Sequence, residues 1–123
     1  MRKLLLALLF VSGFACAEWH FVDENPDGDK FYIDLATIRK DGDVKTAWRK
    51  IELKSRDASG EYSSRAKIEI NCKKELVSIV SYTVFSDPNL RGKILEQSND
   101  RSRSPSPIAP ETINSSYMRI VCQ

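Results

Sequence analysis

A strict alternation of apolar and polar residues over positions 66–72 is the feature that most constrains the fold of this chain. The apolar members are Ala66, Ile68, Ile70 and Cys72, and the residues between them are Lys67, Glu69 and Asn71. Successive side chains of a strand point to opposite faces, so a period of two predicts a strand with one buried face. A sheet built on such a strand needs another element to cover that face.

The first 17 residues have the three-part pattern of a cleavable signal peptide. Arg2 and Lys3 precede the apolar run 4–11, and small residues follow as far as Ala17. The apolar run is too short for a resident transmembrane helix. We therefore expect export through the inner membrane, cleavage after Ala17, and a mature chain over residues 18–123.

Cys16 keeps a second interpretation open, because a lipoprotein signal also ends at a cysteine, which is acylated and becomes the first mature residue. Gly13 and Phe14 match that signal poorly, since leucine and then a small residue usually occupy these places. Ala15 and Ala17 fit ordinary signal peptidase. We expect a periplasmic or secreted protein, with an outer-membrane lipoprotein at the cell surface as the alternative.

Removal of the signal peptide changes the charge of the chain. Loss of Arg2 and Lys3 lowers the count of Lys and Arg from 19 to 17, which equals the 17 Asp and Glu residues, so the mature formal net charge is zero. A neutral domain has no overall field that attracts nucleic acid or an anionic membrane. The length of the mature chain suits one domain.

Cys72 and Cys122 are the cysteines left once Cys16 is removed or lipidated. An even pair in an oxidising compartment predicts a disulfide between them. Closing so long a loop adds about 4 kcal/mol to the free energy of unfolding in the chain-entropy model. A zinc site needs further ligands at close spacing, and a thioredoxin-type redox centre needs Cys-x-x-Cys; neither pattern is present.

Other patterns predict further strands and a helix. Strands are expected at 18–22, 30–34, 44–54, 76–85 and 91–96, with a bulge between Trp48 and Ile51 where the apolar parity changes. Residues 98–107 have the composition of a polar Ser/Pro linker. Pro110 and Glu111 suggest the first turn of a final helix with one apolar face, formed by Ile113, Tyr117, Ile120 and Val121.

The predicted disulfide joins that helix to the alternating strand. We expect an α+β fold, a mostly antiparallel sheet with the C-terminal helix packed on one face and tethered by Cys72 and Cys122.

The ordered motifs of the mature chain resemble the bacterial surface-adhesin protein E family. They are Trp19 in the first strand, Phe31-Tyr32-Ile33-Asp34 with Thr37-Ile38, Val44 with Trp48, Lys67 to Cys72, Tyr82, and Ile108-Ala109-Pro110 before Tyr117 and Cys122. The resemblance implies a single domain of this type over residues 18–123, with an antiparallel sheet and a disulfide-tethered C-terminal helix. For the founding adhesin it also implies outer-membrane display and binding of host matrix proteins such as vitronectin and laminin.

Catalytic chemistry has no candidate constellation in this sequence. His20 is the only histidine, which excludes most triads and zinc sites. The acidic turn residues lack the spacing of a calcium loop and are explained by turn chemistry; they are Asp23, Glu24, Asp27, Asp29, Asp41 and Asp43. We therefore expect no enzyme activity, no cofactor and no metal.

Two groups of side chains are candidates for binding, although no ligand-binding residue can be assigned from the family. The basic pairs Arg39-Lys40, Arg49-Lys50, Lys73-Lys74 and Arg101-x-Arg103 suit polyanions or acidic protein segments if the fold brings them together. The aromatic residues Trp19, Phe31, Tyr32 and Trp48 suit either a groove or core packing. We expect an exported binding protein for a protein ligand of the extracellular-matrix type; the alternative is a periplasmic structural or stress-related envelope protein.

Overall fold

The computed structural model describes residues 17–100 and 104–123 of the chain. These residues contain seven β-strands and one α-helix. The predicted signal peptide and Cys16 lie outside these residues, apart from Ala17. The elements are β1 Trp19–Glu24, β2 Lys30–Asp41, β3 Val44–Glu52, β4 Ser63–Asn71, β5 Leu76–Asp87, β6 Arg91–Ser98, β7 Ser106–Pro107 and α1 Ile113–Val121.

Strands β1 to β6 lie in sequence order in one sheet, and every neighbouring pair is antiparallel. Tight turns explain this order, because a strand that reverses within a few residues pairs with the strand before it. Gly42 occupies such a turn with a positive φ of 61°, where a side chain is disfavoured. The short β7 pairs with the beginning of β5. The predicted antiparallel sheet is confirmed.

The alternating pattern at 66–72 forms β4, and its buried face meets the helix. Ile68 and Ile70 are fully buried and join Ile33, Ala47 and Val77 in the core. Ile108, Tyr117 and Val121 cover them from the segment before α1 and from α1 itself. The core therefore lies between one face of the sheet and α1, which contacts β1, β2 and β3.

The bulge predicted in β3 is wrong. β3 pairs with β4 without interruption from Val44 to Glu52, and the irregularity lies in β2, between Asp34 and Arg39. Trp48 and Ile51 face opposite sides of a regular strand. The change of apolar parity arises because both faces of β3 carry packed side chains.

The helix begins later than predicted, at Ile113 rather than at Pro110 and Glu111. Glu111 has φ of 60°, which no right-handed helix accommodates. Thr112 is the N-cap: its hydroxyl accepts a hydrogen bond from the Ser115 N–H at 3.2 Å, and the Ser115 hydroxyl accepts one from the Thr112 N–H at 3.0 Å. The predicted apolar face is confirmed, because its residues pack into or against the core.

The segment predicted as a linker at 98–107 is shorter than expected. Ser98 is the last residue of β6, and Ser106–Pro107 forms β7. Arg101 and Arg103 lie outside the described residues. The pairing of β7 with β5 leads the chain directly to buried Ile108, whose N–H donates to the Glu75 carbonyl at 2.9 Å.

The predicted disulfide between Cys72 and Cys122 is confirmed, with a Cα–Cα distance of 5.8 Å. Cys72 immediately follows β4, and Cys122 is the C-cap of α1. The bond closes a loop with a sequence separation of 50 and fixes the end of the helix to the sheet.

We expect the Cys72→Ser/Cys122→Ser double variant to lose about 4 kcal/mol of unfolding free energy, because the reduced chain gains loop entropy when unfolded. Urea denaturation followed by tryptophan fluorescence measures the change. Reductant should destabilise the unsubstituted protein by a similar amount and leave the double variant unaffected. An unchanged denaturation midpoint in the double variant would contradict this prediction.

Candidate functional site

Aromatic and cationic side chains lie together on the face of the sheet that points away from α1. Paired residues of an antiparallel sheet share a face, and Ile33, Ala47 and Ile68 mark the side covered by the helix. Their neighbours therefore point to the other side. One cross-strand row contains Phe21, Tyr32, Lys50 and Arg65, and the adjacent row contains Trp19, Asp34, Trp48 and Lys67. We call the surface formed by Trp19, Phe21, Tyr32, Trp48, Lys50 and Arg65 the aromatic face.

Lys50 lies at the centre of the aromatic face and contacts two of its aromatic rings. Its Nζ lies 4.5 Å from the centroid of the Tyr32 ring, 5.7 Å from that of Trp19, and 3.7 Å from Oε1 of Glu52. The Lys50 side chain is only 12% exposed. A cation over aromatic rings is attracted by their negative faces, by about 1 kcal/mol at exposed sites. These contacts fix the orientation of Trp19 and Tyr32 before any ligand arrives.

Phe21 extends the aromatic face toward solvent. Its ring meets that of Tyr32 edge to face, with centroids 5.9 Å apart and an interplanar angle of 78°. The residue is nevertheless 56% exposed. Aromatic residues together with arginine are enriched at the centres of protein interfaces, where they contribute large contact areas at low entropic cost.

The irregularity in β2 positions Trp48 on this face. The Thr37 hydroxyl donates to the Asp34 carbonyl at 2.6 Å and accepts a hydrogen bond from the Trp48 N–H at 2.9 Å. Buried Asp34 accepts a further bond from the Ala36 N–H at 3.1 Å. The Asp-x-x-Thr spacing therefore replaces regular strand pairing with side-chain hydrogen bonds.

An open cavity of about 310 Å³ lies beside these residues on the aromatic face. Trp19, Asp34, Thr37, Trp48 and Arg65 line it, together with Ala17, which the predicted cleavage removes. Its walls combine indole rings with a guanidinium group and a carboxylate. Such a lining suits a protein side chain with both apolar and polar parts.

A family model described as surface-adhesin protein E matches residues 19–123, which is most of the chain. The chain belongs to the surface-adhesin protein E family.

Crystal structures of Haemophilus influenzae protein E have the same fold. One aligns with a TM-score of 0.59 at 14% identity, covering 87% of this chain and 88% of that one. A selenomethionine form aligns with a TM-score of 0.57 at 12% identity, covering 87% and 90%. A comparison with curated proteins returned no match.

In this member of the surface-adhesin protein E family, the structure brings Trp19, Tyr32 and Trp48 together on one face of the sheet. This arrangement agrees with the interpretation of these residues as the lining of a groove. Phe31 does not join them, because it faces α1 and packs against the core. Phe21 was missed as a candidate. Its position two residues after Trp19 in a strand was the available signal, since residues i and i+2 share a face.

The basic pairs do not form one cationic patch within the described residues of this family member. Arg49 and Lys50 are adjacent in β3 and therefore point to opposite faces. Arg39-Lys40 and Lys73-Lys74 lie at one end of the sheet, where the Cys72 N–H donates to the Asp43 carbonyl at 2.8 Å. Acidic residues lie among these basic pairs; they are Asp41, Asp43 and Glu75. This mixture of charges does not favour a polyanion site.

The remaining candidates serve the local structure or face solvent. His20 is exposed on β1. Asp29 closes the β1–β2 turn: its Oδ1 accepts from the Lys54 N–H at 3.0 Å, and its Oδ2 accepts from the Asn25 amide at 3.0 Å.

Residues 17–100 and 104–123 contain no group of three or more His, Cys, Asp or Glu side chains that could hold a metal ion. No helix within these same residues is long and apolar enough to cross a membrane.

We expect Thr37→Ala to lower the free energy of unfolding by about 1–2 kcal/mol, because the Trp48 N–H and the Asp34 carbonyl each lose a partner. Thr37→Ser is the matched control, since it keeps the hydroxyl, and should retain most of the stability. Thermal unfolding compares the three proteins. Equal losses in both variants would mean that the Thr37 methyl group, and not its hydroxyl, stabilises this part of β2.

Proposed function

We propose that this protein is an exported, non-catalytic binding module of the bacterial envelope that recognises a protein ligand through the aromatic face. Membership of the surface-adhesin protein E family supports an exported or cell-surface adhesin-like protein. The residues of the aromatic face are the surface that we assign to ligand binding. The partner class is a protein of the extracellular-matrix type.

The observation that carries the proposal is that the aromatic face is ordered and partly exposed. Trp19 and Tyr32 are fixed by Lys50, whereas Phe21 remains 56% exposed. The helix lies on the opposite side of the sheet and does not cover this face. An exposed apolar patch with a polar rim is typical of interaction surfaces, and preorganised side chains lose little entropy on binding.

Export to the envelope rests on the signal-peptide pattern of residues 1–17. The disulfide between Cys72 and Cys122 supports an oxidising compartment. Display at the cell surface and retention in the periplasm differ in the fate of Cys16. Acylation would anchor the protein in a membrane, and cleavage after Ala17 would release a soluble chain beginning at Glu18.

We expect the intact mass of the protein from its native host to correspond to an unmodified chain that begins at Glu18, because Ala15 and Ala17 fit ordinary signal peptidase. Mass spectrometry provides the measurement, and protease treatment of whole cells shows whether the chain is accessible from outside. A diacylglyceryl or triacyl mass on Cys16 would contradict the expected cleavage. A chain protected from protease would favour the periplasmic alternative over an adhesin.

Binding to immobilised vitronectin and laminin tests the role of the aromatic face. We expect Phe21→Ser to weaken binding about tenfold, because truncating an exposed aromatic residue that the partner buries commonly has this effect. Surface plasmon resonance measures the affinities.

Ile94→Ser is the matched control for this experiment. Ile94 is also 56% exposed but lies in edge strand β6, far from Phe21 in the sheet. Equal losses in the two variants, or no loss in Phe21→Ser, would argue against the aromatic face. Failure of the unsubstituted protein to bind either matrix protein would argue against a partner of this type.

A further inference from the structure

Arg49 has no partner of opposite charge among the described residues. Its side chain lies on the helix side of the sheet, and its Nε is buried without a hydrogen bond. Lys50 pairs with Glu52, and Arg56 pairs with Asp87. The guanidinium of Arg49 instead lies 6.0 Å from the centroid of the Tyr117 ring.

A charged side chain in this environment is unusual. Burial lowers the pKa of Arg49, because loss of solvent opposes the charged form. A guanidinium nevertheless remains protonated in proteins. Buried charges are normally paired, since an unpaired charge loses its hydration and no ion pair or hydrogen bond compensates for that loss. The Nε–H of Arg49 is therefore a donor without an acceptor.

Two cavities meet at Arg49 and Ile79. The first has a volume of about 210 Å³ and lies next to the beginning of α1. Its polar lining provides hydroxyl and amide groups and no carboxylate; the residues are Ser104, Ser106 and Asn114. This lining, together with a guanidinium, suits the oxygen atoms of an anion.

The second cavity, of about 270 Å³, continues across the part of the sheet beyond α1. Its middle is mostly apolar, with Ile51, Ala66 and Val84 in the lining beside Ser64 and Tyr82. Glu61 and Glu96 lie in the same cavity. Burial and the nearby charge of Asp57 raise the pKa of Glu61. The carboxylates grouped here would favour a cation placed among them.

The two cavities join at Arg49, and the second leads from this cation across a mostly apolar stretch to the carboxylates of Glu61 and Glu96. We call the joined cavities the Arg49 groove. Arg49 and Glu96 are three strands and two register positions apart, which corresponds to about 16 Å between their backbones. An extended peptide of about five residues covers that distance.

We propose that the Arg49 groove binds an extended peptide segment of a partner protein, with an acidic side chain on Arg49 and a basic side chain near Glu61 and Glu96. A guanidinium matches a carboxylate in a two-bond arrangement. The apolar residues of the segment lie on the middle of the groove. Arg65 lines cavities on both sides of the sheet, but the other residues of the site lie on the opposite side from the aromatic face, so the proposal does not rest on the function proposed above.

Calorimetric titration with the peptide acetyl-Asp-Val-Val-Val-Lys-amide tests the proposal. The peptide carries one carboxylate and one ammonium group. We expect it to bind the unsubstituted protein, and its Asn analogue to bind at least about tenfold more weakly, because the charge-assisted pair with Arg49 is lost. This comparison changes only the ligand and does not depend on the folding of a variant.

Arg49→Gln should weaken binding of the Asp peptide by a similar factor and leave binding of the Asn peptide nearly unchanged, since the two changes remove the same contact. Arg119→Gln is the matched control, because Arg119 is exposed on α1, and should bind both peptides normally. Equal binding of the Asp peptide to Arg49→Gln and to the unsubstituted protein would overturn the proposal, as would the absence of binding.

Nuclear magnetic resonance of the isotope-labelled protein locates the bound peptide. We expect shifts for Ile79 and Asn114, and unchanged indole signals of Trp19 and Trp48. Shifts confined to the indoles would overturn the Arg49 groove and support the aromatic face instead. Displacement of the peptide by an equal concentration of inorganic sulfate would show a site for a free oxyanion and overturn the peptide assignment.

Discussion

The docking of α1 on the sheet depends on Tyr117, which is fully buried and whose hydroxyl donates a hydrogen bond to the Tyr32 carbonyl at 3.0 Å. Burial raises the pKa of Tyr117 far above its ordinary value, so the hydroxyl remains a donor. The ring fills the space between the helix and the strands. A buried hydroxyl without this bond would oppose docking, because its desolvation would not be compensated.

Tyr32 connects the two sides of the sheet. Its backbone oxygen receives the hydrogen bond from Tyr117 on the helix side, whereas its ring contacts Phe21 and Lys50 on the aromatic face. The interaction that seats the helix therefore also fixes the strand from which the aromatic face is built. The disulfide adds a second attachment at the end of the helix, where Cys122 meets Cys72. Between these two points, Val121 completes the core.

Adjacent cations have different roles because a strand separates them. Lys50 is paired with Glu52 and with aromatic rings, whereas Arg49 faces Tyr117 without a carboxylate nearby among the described residues. A basic dipeptide usually indicates a solvated surface. In β3 it provides one organising charge for the aromatic face and one donor for the opposite groove.

The sequence alone determined the elements whose signals are local. The alternation that ends at Cys72 predicted β4 and its buried face, and the remaining pair of cysteines predicted the disulfide. The apolar spacing of Ile113, Tyr117 and Val121 predicted the helix face that packs on the sheet. Each inference rests on a period or a covalent pairing, which does not depend on what the rest of the chain does.

The tertiary structure alone decided the register and the sites. The irregularity in β2 arises from hydrogen bonds of Thr37 to Asp34 and Trp48, and sequence parity wrongly assigned it to β3. Phe31 and Tyr32 are neighbours in sequence, yet one packs in the core and the other on the aromatic face. Whether an aromatic or basic residue is buried, stacked or unpaired depends on which strands become its neighbours. That choice is made by pairing and packing across the whole sheet, and no local pattern contains it.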